Sequence, residues 1–431
     1  MTSPVMTAIE VAGFKSAIDP VRVNFRDITV LAGTNSAGKS TIMQPLLLIK
    51  QTLEKPFDPG GLAIDGPLVR FTRADQIFSR RSQRESAGSF VAKYDFGQDA
   101  VSFRYERSET AGIELAEMHI AEQGENLVWK DGLIPHPGDG SMPEFLSTLG
   151  TGERPRRVQI WRDGVVLIAG VKSGDKDKPH PIEYRSMPAE AAKALAGNMI
   201  YLPGLRGNPE RHYPFSAVGE RYPGSFDNYT ASVIHHWATT HDERLHRLEH
   251  NLYGLGLTSR IATSRLDDTN IEIRVGRLPA SVRANAKDIV NVADVGFGVS
   301  QTLPVLVALL AAARDQMVFV EQPELHLHPR AQVALADILI QAADQGVRLV
   351  IETHSSLLIL ALQAAIAEGR IAPDRVSLNW FTRDATGQTH VAEAQIGDDG
   401  SYGDWPEDFG AIELDLQDRY MTLVERRHAR G

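Results

Sequence analysis

The 431-residue sequence contains no cysteine. That absence excludes a disulfide framework and any thiolate metal site. Long hydrophobic runs are missing too. The most apolar stretch, "PVLVALLAAA" at residues 304–313, is too short to span a bilayer, so no membrane partner is expected. The opening "MTSPVMTAIE" lacks the basic start and apolar core of a secretory signal. These absences together point to a cytoplasmic protein. Nor is positive charge in excess. The net charge of -10 argues against a surface coated for non-specific DNA binding. Three basic stretches remain as local candidates: "SRRSQR" (79–84), "RPRR" (154–157) and the terminal "ERRHARG". Internal repeats, low-complexity tracts and long heptad runs are likewise absent.

What is present is an ordinary composition, 42% hydrophobic and 23% charged, over a length sufficient for two or three packed units. "TAIEVAGF" and "VRVNF" alternate as strands do, and "DITVLAG" is an apolar strand ending in glycine. "TIMQPLLLIKQTL" then reads as a helix with Pro45 inside it. "SFVAKYDF", "AVSFRYER" and "IELAEMHIAE" predict an antiparallel sheet. Residues 135–197 read as an irregular insertion carrying the hairpin "VQIWRDGVVLIAG", with its turn at Asp163-Gly164. A helical stretch is expected over 229–253. From Gly298 onward helix, strand ("MVFVE"), helix (329–344), strand ("VRLVIETHS") and helix alternate. That alternation implies a mostly parallel sheet covered by helices.

"GTNSAGKS", residues 33–40, fits G-x-x-x-x-G-K-[ST] in full and stands between an apolar strand and a helix. Each piece has a task. Gly33 and Gly38 let backbone N–H groups curl around phosphate oxygens. Lys39 sets a charge against the outer phosphates, Ser40 offers its hydroxyl to Mg²⁺, and the helix start adds its dipole. A guanine-specific Asn-Lys-x-Asp element is missing, since "NVAD" at 291–294 lacks the lysine.

Further on, "ADVGFGVSQTLPVL" (293–306) places Gly296, Gly298 and Ser300 just before an apolar helix. By itself this reads as a tight turn capped by Ser300. "MVFVE" ends in Glu321, a carboxylate at a strand end where Mg²⁺ is held through its water shell. The next residue is Gln322, an amide, which cannot take a proton from water as a carboxylate can. Glu324 follows two residues later, near enough to serve as a base if the turn after Pro323 points it inward. "LVIETHS" ends a second apolar strand in His354, which reads by itself either as a hydrogen-bond partner for a γ-phosphate or as a histidine satisfied at a strand terminus.

This order of motifs resembles the ABC-type ATPase head. More closely it looks like the SMC-related and OLD-nuclease-related ATPases, in which sequences like "EPELHLHP" follow the acidic strand. The specific match covers residues 9–50 and 291–381. The resemblance implies a site made by two heads. Gly33, Asn35, Gly38, Lys39, Ser40 and Thr41 would hold ATP and Mg²⁺ in one subunit. Gly298 and Ser300 would approach the γ-phosphate from the other. Glu321 would hold the metal and His354 act as the switch histidine. Lys15 in "GFKSA" is a further nucleotide contact, and Gln76 in "TRADQIF" the candidate for the family's glutamine loop. The long coiled arms of SMC proteins are missing. About fifty residues follow "LNWFTRD" (378–384), too few for a Toprim nuclease domain. The expected protein is therefore an ATPase subunit acting on a separate effector, such as a nuclease or toxin, with DNA left open as a further ligand.

The expected fold is an α/β phosphate-loop ABC-type head with a mostly parallel core sheet, an antiparallel β lobe and a helical subdomain. Its segments are the N-terminal half of the head (1–60), the lobe and insertion (61–200), a helical or linker subdomain (201–285), the C-terminal half of the head (286–385) and an extension (386–431). Two alternatives stand beside hydrolysis. One is a nucleotide-gated scaffold with negligible turnover, motivated by Gln322. The other is a zinc peptidase, since "HRLEH" (246–250) fits H-x-x-E-H. Arg206 and Arg211, among prolines and aromatics, face either a partner or a packed linker.

Overall fold

The computed structural model describes residues 5–56, 61–80, 87–109, 112–122, 124–130, 157–163, 166–172, 182–184, 187–219, 221–277, 288–403 and 418–424. Its strands in chain order are β1 (Ala8–Ala12), β2 (Val21–Asn24), β3 (Ile28–Gly33), β4 (Ser89–Phe96), β5 (Asp99–Ser108), β6 (Gly112–Glu122), β7 (Glu125–Lys130), β8 (Arg157–Asp163), β9 (Val166–Lys172), β10 (Ile182–Tyr184), β11 (Ile200–Leu202), β12 (Tyr213–Pro214), β13 (Ile261–Arg265), β14 (Asn270–Gly276), β15 (Ile289–Asn291), β16 (Met317–Glu321), β17 (Arg348–Thr353), β18 (Val376–Arg383) and β19 (Thr389–Glu393). The helices are α1 (Lys39–Leu53), α2 (Met187–Asn198), α3 (Thr230–Thr240), α4 (Glu243–Gly254), α5 (Phe297–Ala311), α6 (Pro329–Asp344) and α7 (Ser356–Ala367).

The core sheet runs β11-β16-β17-β3-β18-β19. Its neighbours pair in parallel except at the β18–β19 edge. Side chains alternate between its two faces, as the two-residue period of a strand requires. Leu31, Phe319, Val350 and Phe381 join the core that contains α1, α2 and the lobe. Val30, Val318, Val320, Leu349, Ile351 and Trp380 join the opposite core, with α3, α5, α6 and α7. Burial on both faces is why β3, β16 and β17 read as unbroken apolar runs. Parallel pairing also carries the C-terminal ends of these three strands to one edge of the sheet, where the chemistry gathers.

The lobe is a second, antiparallel sheet in the order β2-β1-β4-β5-β6-β7. The first segment of the chain thus contributes to two sheets, β1 and β2 to the lobe and β3 to the core. Phe14 packs edge-on to Phe90 at 5.1 Å, and Phe90 stacks on Tyr105 at 4.9 Å. These aromatic contacts anchor the β1–β2 connection that bears Lys15. Two smaller sheets complete the chain, β10-β9-β8 and β12-β14-β13, with β15 paired to β14.

Several sequence expectations change. The helical stretch over 229–253 is two helices. His241 takes a left-handed conformation, φ 55°, and Asp242 caps α4 by accepting the Arg244 N–H. The insertion ends in a regular element, α2, built on alanine-rich sequence. In its hairpin the last pair is Asp163↔Val166. The two connecting positions are thus 164 and 165, one later than expected, and they lie outside the described residues. Helix α5 starts at Phe297 with Gly296 as its cap, so Gly298 and Ser300 fall inside its first turn. Ser300 donates its hydroxyl to the Phe297 carbonyl at 3.0 Å and does not cap the helix. Among the described residues no helix is long and apolar enough to cross a membrane.

Candidate nucleotide site

The phosphate loop connects β3 to α1. Gly33 has φ 144° and Gly38 φ 101°. A Cβ on Gly33 would meet the Phe381 carbonyl at 2.3 Å, and one on Gly38 the Thr389 hydroxyl at 2.2 Å. Only glycine fits either place, so the loop's curl is enforced by both conformation and space. Buried Lys39 donates its ammonium to the carbonyls of Gly33 (3.1 Å) and Thr34 (2.9 Å). Burial pulls the pKa of that ammonium down. Thr41 is buried and close to the Ser16 hydroxyl, while Asn35 and Ser36 are exposed on the loop. Pro45 stands inside α1, removing one backbone donor, and the helix continues past it to Leu53.

A cavity of about 700 Å³ opens beside the loop. It is lined by Lys39, Ser40 and Glu352, by Lys15 and Gln76 from the lobe side, and by Arg383 of β18. The structure thus brings two separately chosen residues, Lys15 and Gln76, to the phosphate loop. Lys15 has φ 50°, lies over the Phe71 ring at 5.3 Å, and donates to Gln44 at 3.0 Å. Gln76 is committed locally, since its Oε1 accepts the N–H groups of Thr72 and Arg73. Arg80 also lines the cavity. Residues 81–84, 154–156 and 425–431 of the basic stretches lie outside the described residues.

The acidic strand end lies one strand away. Glu321 on β16 is paired in register with Glu352 on β17, which is paired with Leu31 on β3. Glu321 accepts the Tyr201 hydroxyl at 3.0 Å and the Gly204 N–H at 3.2 Å. Glu352 is only 7% exposed and accepts the Ser40 hydroxyl at 2.9 Å. Burial first, and the Glu321 charge second, push the Glu352 carboxyl up to about 7. Burial also raises Glu321. A buried carboxylate, Glu352, beside the half-buried Glu321, with the Ser40 hydroxyl toward the phosphate loop, fits a hard dication that would complete its shell with phosphate oxygens. Among the described residues no group of three or more His, Cys, Asp or Glu could hold a metal unaided.

Gln322 has φ 46° and donates its N–H to the Glu352 carbonyl at 2.6 Å. The left-handed turn at this position reverses the chain and sends Glu324 inward. Glu324 is buried, and its Oε1 accepts the Thr353 hydroxyl at 2.7 Å and the His354 N–H at 3.0 Å. Its other oxygen is buried with no donor among the described residues. His354 is half-buried beside Gly33, and burial lowers its pKa. Glu324 thereby braces the strand end that carries His354.

Arg206 is buried in a packed linker and does not face outward. It donates to the carbonyls of Glu321 (2.6 Å), Gln322 (3.1 Å) and Gln301 (3.1 Å). It therefore ties the acidic strand end to α5. Gly298 and Ser300 do not line the phosphate cavity. Phe297, at the start of their helix, is 48% exposed and lies 5.7 Å from the His326 ring. His246 of "HRLEH" is exposed, and Glu249 accepts the Ile261 N–H.

Sequence reasoning missed Glu352, although it stands within the quoted "IETHS". The available signal was a carboxylate inside an otherwise apolar strand, a costly placement without a charged partner. Tyr201, Gly204 and Arg383 carried no local signal.

The structure thus places a complete phosphate loop, an acidic strand end one strand removed and a histidine at the end of the strand between them along one edge of the core sheet. Residues 264–361 match the model of the family described as AAA domain, putative AbiEii toxin, Type IV TA system. The matched span contains α5, β16, α6 and β17, and stops short of the phosphate loop. No curated protein matches the chain. Among solved structures it is similar to the SMC head bound to the C-winged helix domain of ScpA, at 14% identity and TM-score 0.45, covering 91% of this chain and 98% of that one. It is similar to the SMC head domain from Thermotoga maritima at 10% identity and TM-score 0.41, covering 91% and 100%. A third is the SMC head with an extended coiled coil bound to the C-terminal domain of ScpA derived from Pyrococcus furiosus, at 10% identity and TM-score 0.44, covering 98% and 99%.

Proposed function

We propose that the chain binds ATP with Mg²⁺ in the cavity beside β3 and α1, and that two copies close over two nucleotides to control a separate effector. The observation that carries this reading is the convergence of Lys39, Ser40, Glu352 and Lys15 on one cavity of nucleotide size. When bound, the dication neutralises phosphate charge and draws electrons from the bond to the γ-phosphate. Lys39 exchanges its two loop carbonyls for phosphate oxygens. His354, braced by Glu324, reports the γ-phosphate. Gly298 and Ser300 of a second copy supply the helix start and hydroxyl that close the site. Hydrolysis removes those γ-phosphate contacts, and the closed state loses its advantage. The segments laid out from the sequence are proposed as the working divisions of this head, and a nuclease or toxin as the class of effector.

A second reading, a nucleotide-gated scaffold with little turnover, is favoured by a specific observation. Gln322 cannot act as a base, and one oxygen of Glu324 is already occupied by Thr353 and His354. Turnover in Gln322→Glu and Glu324→Gln separates the two. If Glu324 is the base, Glu324→Gln abolishes turnover while Gln322→Glu changes it little. If the protein is tuned for holding, Gln322→Glu raises turnover strongly. Failure of Lys39→Ala to weaken ATP binding would remove both readings.

A further inference from the structure

Glu352 is unexplained by the order of motifs alone. It lies on the strand between the phosphate-loop strand and the acidic strand end. Both of its carboxylate oxygens face the Ser40 hydroxyl, at 3.2 and 2.9 Å. Ser40 is the residue that the phosphate-loop pattern gives to the cation. Glu321 is held differently. Each of its oxygens has a donor from the β11 side, the Tyr201 hydroxyl and the Gly204 N–H. A Cβ on Gly204 would come within 3.7 Å of the Glu321 carboxylate, so the linker closes tightly around it.

We propose that Glu352, rather than Glu321, holds the nucleotide's divalent cation together with Ser40, and that Glu321 supplies supporting charge from behind. The inference rests on the nucleotide-binding reading and assigns the metal contact within it. The geometry needs no rearrangement. Ser40 and Glu352 would hold the ion together, the serine through its hydroxyl oxygen and the glutamate through a carboxylate oxygen, while the serine proton stays hydrogen-bonded to Glu352. Charge agrees with geometry. Three carboxylates, Glu321, Glu324 and Glu352, gather at adjacent strand ends, and one oxygen of Glu324 lacks a donor among the described residues. A hard dication offsets that excess where Lys39 alone does not.

The test is calorimetric titration of the full chain with ATP, with and without Mg²⁺, in wild type, Glu352→Gln, Glu321→Gln and Lys39→Ala. Electron paramagnetic resonance of bound Mn²⁺ provides a second readout. Glu352→Gln is expected to bind metal-free ATP at least as well as wild type, because a negative charge beside the phosphates is gone. It is expected to lose about tenfold or more of the affinity gained from Mg²⁺, and to alter the Mn²⁺ spectrum. Glu321→Gln is expected to keep most of both. Metal-free binding also shows that the variant is folded. If the amide disturbs the loop, Glu352→Asp carries the test and should weaken the Mg²⁺ gain more than Glu321→Asp does. The proposal is overturned if Glu352→Gln keeps the Mg²⁺ gain, or if Glu321→Gln loses the larger part of it. A wild type that binds no ATP, with Lys39→Ala indistinguishable from it, instead overturns the nucleotide-binding reading beneath.

Discussion

The two halves of the candidate site are finished to different degrees. The phosphate-loop half is a built pocket: one glycine forced by close backbone approach and one by a close side-chain hydroxyl, a buried lysine, and a hydroxyl already engaged by a carboxylate. The α5 half is an open helix start, with Phe297 exposed and Ser300 bonded only to its own turn. A buried arginine, Arg206, ties α5 to the acidic strand end. The contrast teaches where each half meets its ligand. The first is organised to receive a nucleotide within one chain, and the second presents itself outward, as the proposed closure by another copy requires.

The largest effect is expected where the acidic strand end is joined to α5. Arg206 is 7% exposed and holds the carbonyls of Glu321 and Gln322 at that strand end and of Gln301 on α5. Arg206→Met leaves those buried carbonyls without donors. It should cost about 3–5 kcal/mol of stability, read by urea denaturation. A loss below about 1 kcal/mol would mean that α5 and the acidic strand end are not coupled through this side chain.

Next is the paired carboxylate of the phosphate-loop half. The unfolded chain releases the Glu352 proton near the ordinary value of about 4.3, and the folded chain near 7. Between those values the folded state binds more protons, so nucleotide-free stability falls as pH rises through that window. The full loss, about 3.7 kcal/mol at most, is complete above pH 7. Melting curves across pH 4.5–7.5 should show the decline in wild type. They should show most of it removed in Glu352→Gln, and an equal decline in both would contradict the account.

A smaller effect belongs to the charge on the loop. Lys39→Ala removes a charge-assisted donor to phosphate worth about 1.5–3 kcal/mol, or about 10- to 100-fold in ATP affinity. Stability in the absence of nucleotide should change less, because the ammonium now serves only two loop carbonyls.

Much of this layout was legible in the sequence for a local reason. β3, β16 and β17 are short apolar runs buried on both faces, and the phosphate loop is a contiguous pattern whose glycines are dictated by positive φ and by close neighbours. What stayed hidden depends on distant partners. Tyr201 and Glu321 stand 120 residues apart in the chain, so nothing near "VFVEQPE" shows that Glu321 is turned toward the linker. Ser40 and Glu352 are 312 residues apart, and only the parallel register of β17 with β3 brings them together. Arg206 reads as a surface arginine among prolines until its three carbonyl partners appear. The split at His241 was missed because Asp242 caps a new helix inside what reads as continuous helical sequence.

The most direct test of the central claim is sedimentation velocity of the wild type and Ser300→Arg with no nucleotide, Mg²⁺·ADP and Mg²⁺·ATP. Glu324→Gln is used alongside if turnover is fast. The account predicts a dimer with ATP alone in the wild type. Ser300→Arg should stay monomeric in all three conditions while binding ATP within about twofold of wild type, since a surface change outside the pocket moves affinity by at most about 0.5 kcal/mol. Equal association with ATP and ADP, or an ATP dimer that survives Ser300→Arg, would contradict it.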